Sequence, residues 1–264
     1  MMQMRPSRVL RKLRAGKVAG CVKLNLSDPR AAEIAAMCGV DCVWIDQEHV
    51  PNDSRDIENQ VRAIKVYDVD AVVRVPRGSY SDLVHPLEMD ATGIIVPHVM
   101  SLDDARRVVW QTRFHPVGRR PLDGGNADGA YCMLPVNDYL QQANRERFVI
   151  VQIEDPEPMA DLEQIAQLEG IDVLFFGPGD FSQGIGEPGN FDNPRLIEAR
   201  RLIAETARRH GKFAGTVATV DTLAATVALG YRFINVGADV LALTQYFTRI
   251  SQAFAAVADK TAGL

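Results

Sequence analysis

No stretch of this chain approaches the ~18 consecutive apolar residues that a membrane span requires, which excludes a helical membrane protein. Basic charge is not in excess. The 29 Lys and Arg residues are outnumbered by 34 Asp and Glu, leaving a net charge of -5 and no footprint for nucleic acid. Cysteine is sparse: Cys21, Cys38, Cys42 and Cys132 show no CxxC or other metal-like spacing. They read as reduced thiols, most of them inside strands or helices. A glycine-rich turn after the first β-rich run is missing, which argues against a doubly wound nucleotide-binding sheet. Low-complexity tracts, linkers and internal repeats are absent as well.

What is present is rhythm. Eight β-rich runs stand at 20–26, 42–46, 71–76, 93–99, 148–154, 172–177, 212–217 and 232–237. Most are near-continuous Val, Ile, Leu and Phe, the pattern of strands buried on both faces. Helical patterns fall between them at 28–38, 53–66, 80–90, 101–113, 157–168, 194–210, 220–229 and 240–258. Ser27-Asp28-Pro29 and Asn52-Asp53 are helix starts, and Gly39, Gly211 and Gly230 are stops. The alternation predicts one α/β domain over 1–264, a (β/α)8 barrel.

The basic opening "MRPSRVLRKLRAGK" has the arginine content of a mitochondrial presequence. It runs straight into the first strand, so a leading helix across one end of the barrel is expected, in a cytoplasmic protein. Residues 114–135, "FHPVGRRPLDGGNADGAYCMLP", break the rhythm as a long Gly-, Pro- and Asp-rich loop, the kind that is functional or disordered.

Barrel active sites lie at the C-terminal ends of the strands. Those ends carry Asp46, Glu48 and His49 after the second strand, Arg74 late in the third, Gln152 and Glu154 on the fifth, and Gly177 to Asp180 after the sixth. Gln152 and Glu154 are two apart and share a strand face, so both point into the mouth. A buried carboxylate there needs a cation. Glu154 and Asp180, with no Cys or His expected beside them, describe an oxygen-ligand site for Mg2+, Mn2+ or Co2+. Pairing with arginines or helix capping is the alternative reading of the same two residues. Gly177, Gly179 and Asp180 offer backbone N–H groups in "FFGPGD", a turn suited to an anion. His49, beside carboxylates, is the best placed general base. His85 and His210 fall in helical patterns, His115 in the long loop, and His98 after the fourth strand.

With those residues assembled, the chain resembles the HpcH/HpaI family of class II pyruvate aldolases nearly end to end. The likeness is carried by "IDQEHVPND" (45–53), "VVRVP" (72–76), "VQIED" (151–155), "FFGPGDFS" (175–182) and "INVGAD" (234–239). The resemblance implies that Glu154 and Asp180 ligate a divalent metal that chelates a 2-oxo acid. It implies that Gln152 and the Gly179 backbone hold the acid's carboxylate, that His49 accepts a proton, and that Arg74 stabilises charge on the carbonyl or enolate oxygen. Glu88 stands where the family has an aspartate that raises the basicity of the histidine. It further implies a hexamer in which the helix 240–260 meets a neighbour, and a loop whose Arg119 and Arg120 contact the distal anionic group of a substrate.

Gln47, Gly179, His98 and the loop "GRRPLDGGNADG" depart from the family pattern and bear on the aldehyde half of the site. The implied reaction joins a pyruvate-type enolate to an aldehyde, giving a 4-hydroxy-2-oxo acid, and reverses it. Three rival activities share the chemistry or the fold: a lyase for coenzyme A esters, a decarboxylase of oxaloacetate type, and a non-catalytic barrel that binds an anion. Lys23, on the first strand, leaves a Schiff-base mechanism open.

Overall fold

Eight short strands rich in β-branched and aromatic residues pair in parallel and close on themselves in the order β1-β2-β3-β4-β5-β6-β7-β8. The structure is a computed structural model that describes residues 2–261. The strands are β1 (Ala19–Leu24), β2 (Cys42–Asp46), β3 (Asp70–Arg74), β4 (Gly93–Val96), β5 (Phe148–Ile153), β6 (Val173–Phe176), β7 (Phe213–Ala218) and β8 (Tyr231–Ala238). The helices are α1 (Arg8–Arg14), α2 (Pro29–Met37), α3 (Ser54–Lys65), α4 (Tyr80–Glu88), α5 (Leu102–Thr112), α6 (Val136–Glu146), α7 (Leu162–Gln167), α8 (Pro178–Gly184), α9 (Pro194–Arg209), α10 (Leu223–Ala228) and α11 (Asp239–Thr261). The (β/α)8 barrel expected from the rhythm is the fold. Among the described residues no helix is long and apolar enough to cross a membrane.

Alternation along each strand sorts side chains into two cores. Val43, Ile45, Val73, Ile94, Val151 and Phe176 face the helices. Cys21, Cys42, Trp44, Val72, Ile95, Ile150 and Phe175 fill the barrel interior. The same alternation carries Lys23, Asp46, Arg74 and Gln152, two residues beyond interior positions, to the mouth. Gly93 and Gly215 leave room inside: a Cβ would lie 2.3 Å from the Phe148 ring and 2.7 Å from the Phe175 ring, respectively.

The leading helix behaves as expected. Val9, Leu10 and Leu13 of α1 join the interior core and close the N-terminal end of the barrel. Asp70 anchors it by accepting from the Ser7 hydroxyl at 2.6 Å and the Val9 N–H at 2.8 Å. Asp28 caps α2 ahead of Pro29, and Asp53 caps α3 in a reciprocal capping box with Asp56. Gly39, Gly211 and Gly230 all adopt positive φ after their helices, as C-terminal stops do.

Besides the short helix α8, which the sequence showed only as a turn, the following differ from expectation. Helix α6 was hidden because Pro135 precedes it and no side chain caps it. Cys38 and Cys132 are exposed, leaving only Cys21 and Cys42 as core thiols; all four are free. Helix α11 is the eighth barrel helix in sequence but does not pack flat on the strands. Leu241, Phe247 and Phe254 are 57%, 60% and 74% exposed. An open groove beside its first turns is lined by Val22, Leu24, Leu26, Ile34 and Leu243.

Candidate active site

β2 and β3 run in register with Asp46 opposite Arg74, and both side chains turn inward. The guanidinium grips the carboxylate through two parallel bonds, Nε to Oδ1 at 2.9 Å and Nη2 to Oδ2 at 2.7 Å. Its third nitrogen, Nη1, lies 2.9 Å from Glu48 Oε2. Beneath it the Trp44 ring stacks at 5.0 Å, edge-on to Phe175. Lys23 Nζ reaches Asp46 Oδ2 at 2.8 Å. Burial works against the Asp46 charge, but Arg74 and Lys23 override it and hold the carboxyl down at about 2. The ion pair occupies the Lys23 ammonium, which a Schiff-base nucleophile would have to free.

On the opposite wall the end of β5 presents Gln152 and Glu154. Gln152 Nε2 donates to Glu154 Oε2 at 2.6 Å, and the buried Gln152 Oε1 has no partner among the described residues. A Cβ on Gly177 would meet Glu154 Oε2 at 2.5 Å, so only glycine lets that carboxylate lie against the β6 turn. The Gly177 N–H, expected from the sequence to face an anion, is not free to do so. It donates to the Ile153 carbonyl at 3.3 Å, because the chain leaving β6 continues the ladder before α8 begins at Pro178. Gly179 and Asp180 occupy the first turn of α8.

Glu154 is almost fully buried and its carboxyl is pushed up to about 7, mainly by burial. His98 pulls it down, and the neighbouring Asp180 and Glu48 charges push it further up. This concentration of negative charge calls for a cation. His98, Glu154 and Asp180 each present a ligand atom, and these atoms lie within 4.8 Å of one another. Carboxylate oxygens, an imidazole nitrogen and an unpartnered amide oxygen fit a divalent metal.

His98, which the sequence left as a possible pocket residue after the fourth strand, stands against Glu154. The chain reverses after Pro97 with His98 at φ 46°. Its N–H then donates to Glu154 Oε1 at 2.8 Å and its Nδ1 sits 2.8 Å from Asp155 Oδ2. Burial disfavours its charge, but Asp155, Glu154 and Glu48 together raise its pKa above the ordinary imidazole value. The expectation of two carboxylates with no histidine beside them is therefore corrected. The signal available was the short reach from Pro97 to the strand end, which does not reveal a left-handed turn.

His49 stands at the rim, 59% exposed, with Glu48 at 3.5 Å. Glu88 was expected to support it. Among the described residues no hydrogen bond or ion pair joins the two. The last turn of α4 packs on the 3-10 turn Ala127–Gly129. Burial raises the Glu88 pKa there, and the charges around it are Arg120, Asp128, His85 and Asp123.

The long loop does not hold out Arg119 and Arg120 as two free cations for a distal anionic group. Arg120 is buried, donates to Asp128 Oδ2 at 2.7 Å and to Tyr139 Oη at 3.3 Å, and covers Phe114. Arg119 stacks on Trp110 at 5.2 Å and donates to the Gly118 carbonyl. Arg120→Ala is expected to cost about 3 kcal/mol of stability by stranding buried Asp128, measured by urea unfolding. A loss below ~1 kcal/mol with selective damage to acidic aldehydes would restore Arg120 to substrate binding.

The chain is similar to known proteins over most of its length. A family profile described as HpcH/HpaI aldolase/citrate lyase matches residues 22–245. A hydroxypyruvate/pyruvate aldolase of Pseudomonas aeruginosa is 33% identical over 249 residues, covering 94% of this chain and 92% of that protein. A 2-keto-3-deoxy-L-rhamnonate aldolase of Escherichia coli is 35% identical over 234 residues, covering 87% and 86%. The solved structure of an HpcH/HpaI aldolase/citrate lyase family protein from Burkholderia cenocepacia J2315 superposes with a TM-score of 0.85 at 32% identity, covering 93% of this chain and 99% of that one. The chain belongs to the HpcH/HpaI aldolase/citrate lyase family and is an enzyme of its aldolase type.

Proposed function

We propose that this enzyme makes and cleaves 4-hydroxy-2-oxo acids, using a pyruvate-type 2-oxo acid as donor and an aldehyde as acceptor. The observation that carries the reading is the facing of two walls across one barrel mouth. Glu154 and Asp180, in need of a cation, stand on one side. Arg74, locked on Asp46, stands on the other.

Glu154 and Asp180 would hold Mg2+, Mn2+ or Co2+. When bound, the ion supplies Lewis-acid charge at the donor's keto and carboxylate oxygens. Gln152 gives one amide hydrogen to Glu154 and keeps the other for the donor carboxylate, beside the Gly179 and Asp180 backbone. His49 takes a proton from the donor methyl, with Glu48 rather than Glu88 as its neighbouring carboxylate. Arg74 faces the oxygen on which negative charge then develops, and the enolate carbon attacks the aldehyde. Asp46 touches no reacting atom; it positions Arg74. In cleavage the same groups act in reverse order.

A matrix of 2-oxo acid donors against aldehydes, run with and without chelator, tests the proposal. Turnover with pyruvate-type donors, lost on chelation and restored by Mg2+, Mn2+ or Co2+, is the expected result. Full activity after exhaustive chelation, with borohydride trapping of the donor on Lys23, would overturn it.

The exposed apolar residues of α11 and the groove beside it support a homo-oligomer, a hexamer by the family resemblance, with α11 packed on a neighbour. Light scattering at micromolar concentration is expected to show the assembly, and a monomer there rules it out. The free cysteines fit the reducing cytoplasm.

A further inference from the structure

We propose that His98 is a third protein ligand of the metal held by Glu154 and Asp180, oriented by Asp155, so that this chain builds a mixed nitrogen–oxygen centre. The inference rests on the metal site proposed above and adds a donor that two carboxylates alone do not provide.

Four observations converge on it. A ring nitrogen of His98 and one oxygen each of Glu154 and Asp180 lie within 4.8 Å of one another. Metal–nitrogen and metal–oxygen bonds of about 2.0–2.2 Å span nearly that separation, so a small side-chain adjustment brings all three onto one ion. The backbone is committed to the arrangement. His98 takes φ 46°, uncommon for a residue with a side chain, and its N–H is fixed on Glu154 Oε1 at 2.8 Å. Finally, Asp155 Oδ2 lies 2.8 Å from Nδ1. An acceptor there keeps the proton on Nδ1, the ring nitrogen 3.9 Å from Glu154 Oε1, and leaves the Nε2 lone pair for a ligand once the ring swings from Glu48 toward Glu154 and Asp180, the carboxylate–histidine arrangement that surrounds metal sites.

Other roles for the same residues are weaker. Glu48 Oε1 lies 3.7 Å from Nε2 while Arg74 engages its other oxygen, Oε2, at 2.9 Å, so the ion must draw the imidazole away from Glu48. A purely electrostatic His98, standing in for the cation among Glu154, Asp155 and Glu48, makes the opposite prediction for metal affinity, because it would have to be displaced when the ion binds.

An imidazole ligand shifts preference from hard Mg2+ toward Co2+ and Zn2+. The test titrates metal-free protein with each ion separately, by calorimetry and chelator competition, and records the visible absorption of the Co2+ form. Wild type is compared with His98→Asn, which tolerates left-handed φ but has a shorter side chain, and with Asp155→Asn. The expected result is Co2+ and Zn2+ affinity lower by about 10- to 100-fold in His98→Asn, a Mg2+ affinity changed far less, and an altered Co2+ spectrum. Asp155→Asn should lose about tenfold for Co2+. An unchanged Co2+ to Mg2+ affinity ratio with an unchanged spectrum, or tighter metal binding in His98→Asn, overturns the proposal while leaving the two-carboxylate site standing. Glu154→Gln is the control for the site itself. If it binds all the ions as wild type does, the underlying metal reading fails first.

Discussion

Glu154→Gln is expected to lower turnover by roughly a thousandfold or more, equivalent to about 4 kcal/mol of lost transition-state stabilisation. The substitution changes little else. Glutamine has the same shape, can still accept the His98 N–H at Oε1 and still fits against Gly177, and its amide nitrogen is met by a flip of Gln152 that brings the unpartnered Gln152 Oε1 round to accept. What it removes is the charge that makes this end of β5 a cation site. The loss should appear as failed metal binding in a calorimetric titration. It should also appear as kcat that excess Mg2+, Mn2+ or Co2+ cannot restore. Turnover within tenfold of wild type, with metal present or chelated, would remove Glu154 from the metal and leave the carboxylate without a function.

Arg74→Lys carries the second large effect, a fall in kcat of about 10²- to 10³-fold, or about 3–4 kcal/mol. The charge is conserved, so the buried Asp46 carboxylate keeps a partner beside Lys23 and the protein should fold. The geometry is not conserved. A single ammonium cannot make two parallel bonds to Asp46, reach Glu48 and lie flat on Trp44 at once. Exchange of the donor's methyl protons in heavy water isolates the step, since it reports enolisation without an aldehyde. Exchange at the wild-type rate in Arg74→Lys would mean that the guanidinium serves the acceptor or the fold instead.

The barrel was legible because its strands are buried on both faces and its helices are capped by local signals. Cys42–Asp46 was found to the residue, because Asp and Gln end an apolar run abruptly. β4 was read three residues too long, through Val99, because Pro97 was counted as strand although its missing N–H ends the ladder. The pairings of Glu154 with Asp180 and of Arg74 with the Asp46 wall follow from strand order, so the mouth could be listed from the sequence. His98 could be placed only near the pocket, not against Glu154, since that contact depends on one left-handed dihedral and its orientation on Asp155, which follows another strand. Arg120 misled for a related reason. A Gly-rich setting suggests exposure, but Asp128 and Tyr139, reached through the unforeseen α6, bury it. Local chemistry was readable; partners brought together by long-range packing were not.

Helix α1 turns the barrel into a vessel with a sealed base. With Val9, Leu10 and Leu13 set into the interior and Trp44 and Phe175 packed above them, the pocket is a cul-de-sac. Donor, acceptor, water and protons share one doorway at the strand ends. With the donor seated deepest beside Gln152 and Glu154, as proposed above, such a vessel imposes a queue: the donor must arrive before the aldehyde closes the way and cannot leave until the aldehyde has gone. In the cleavage direction the aldehyde is therefore the first product released, and the 2-oxo acid the last.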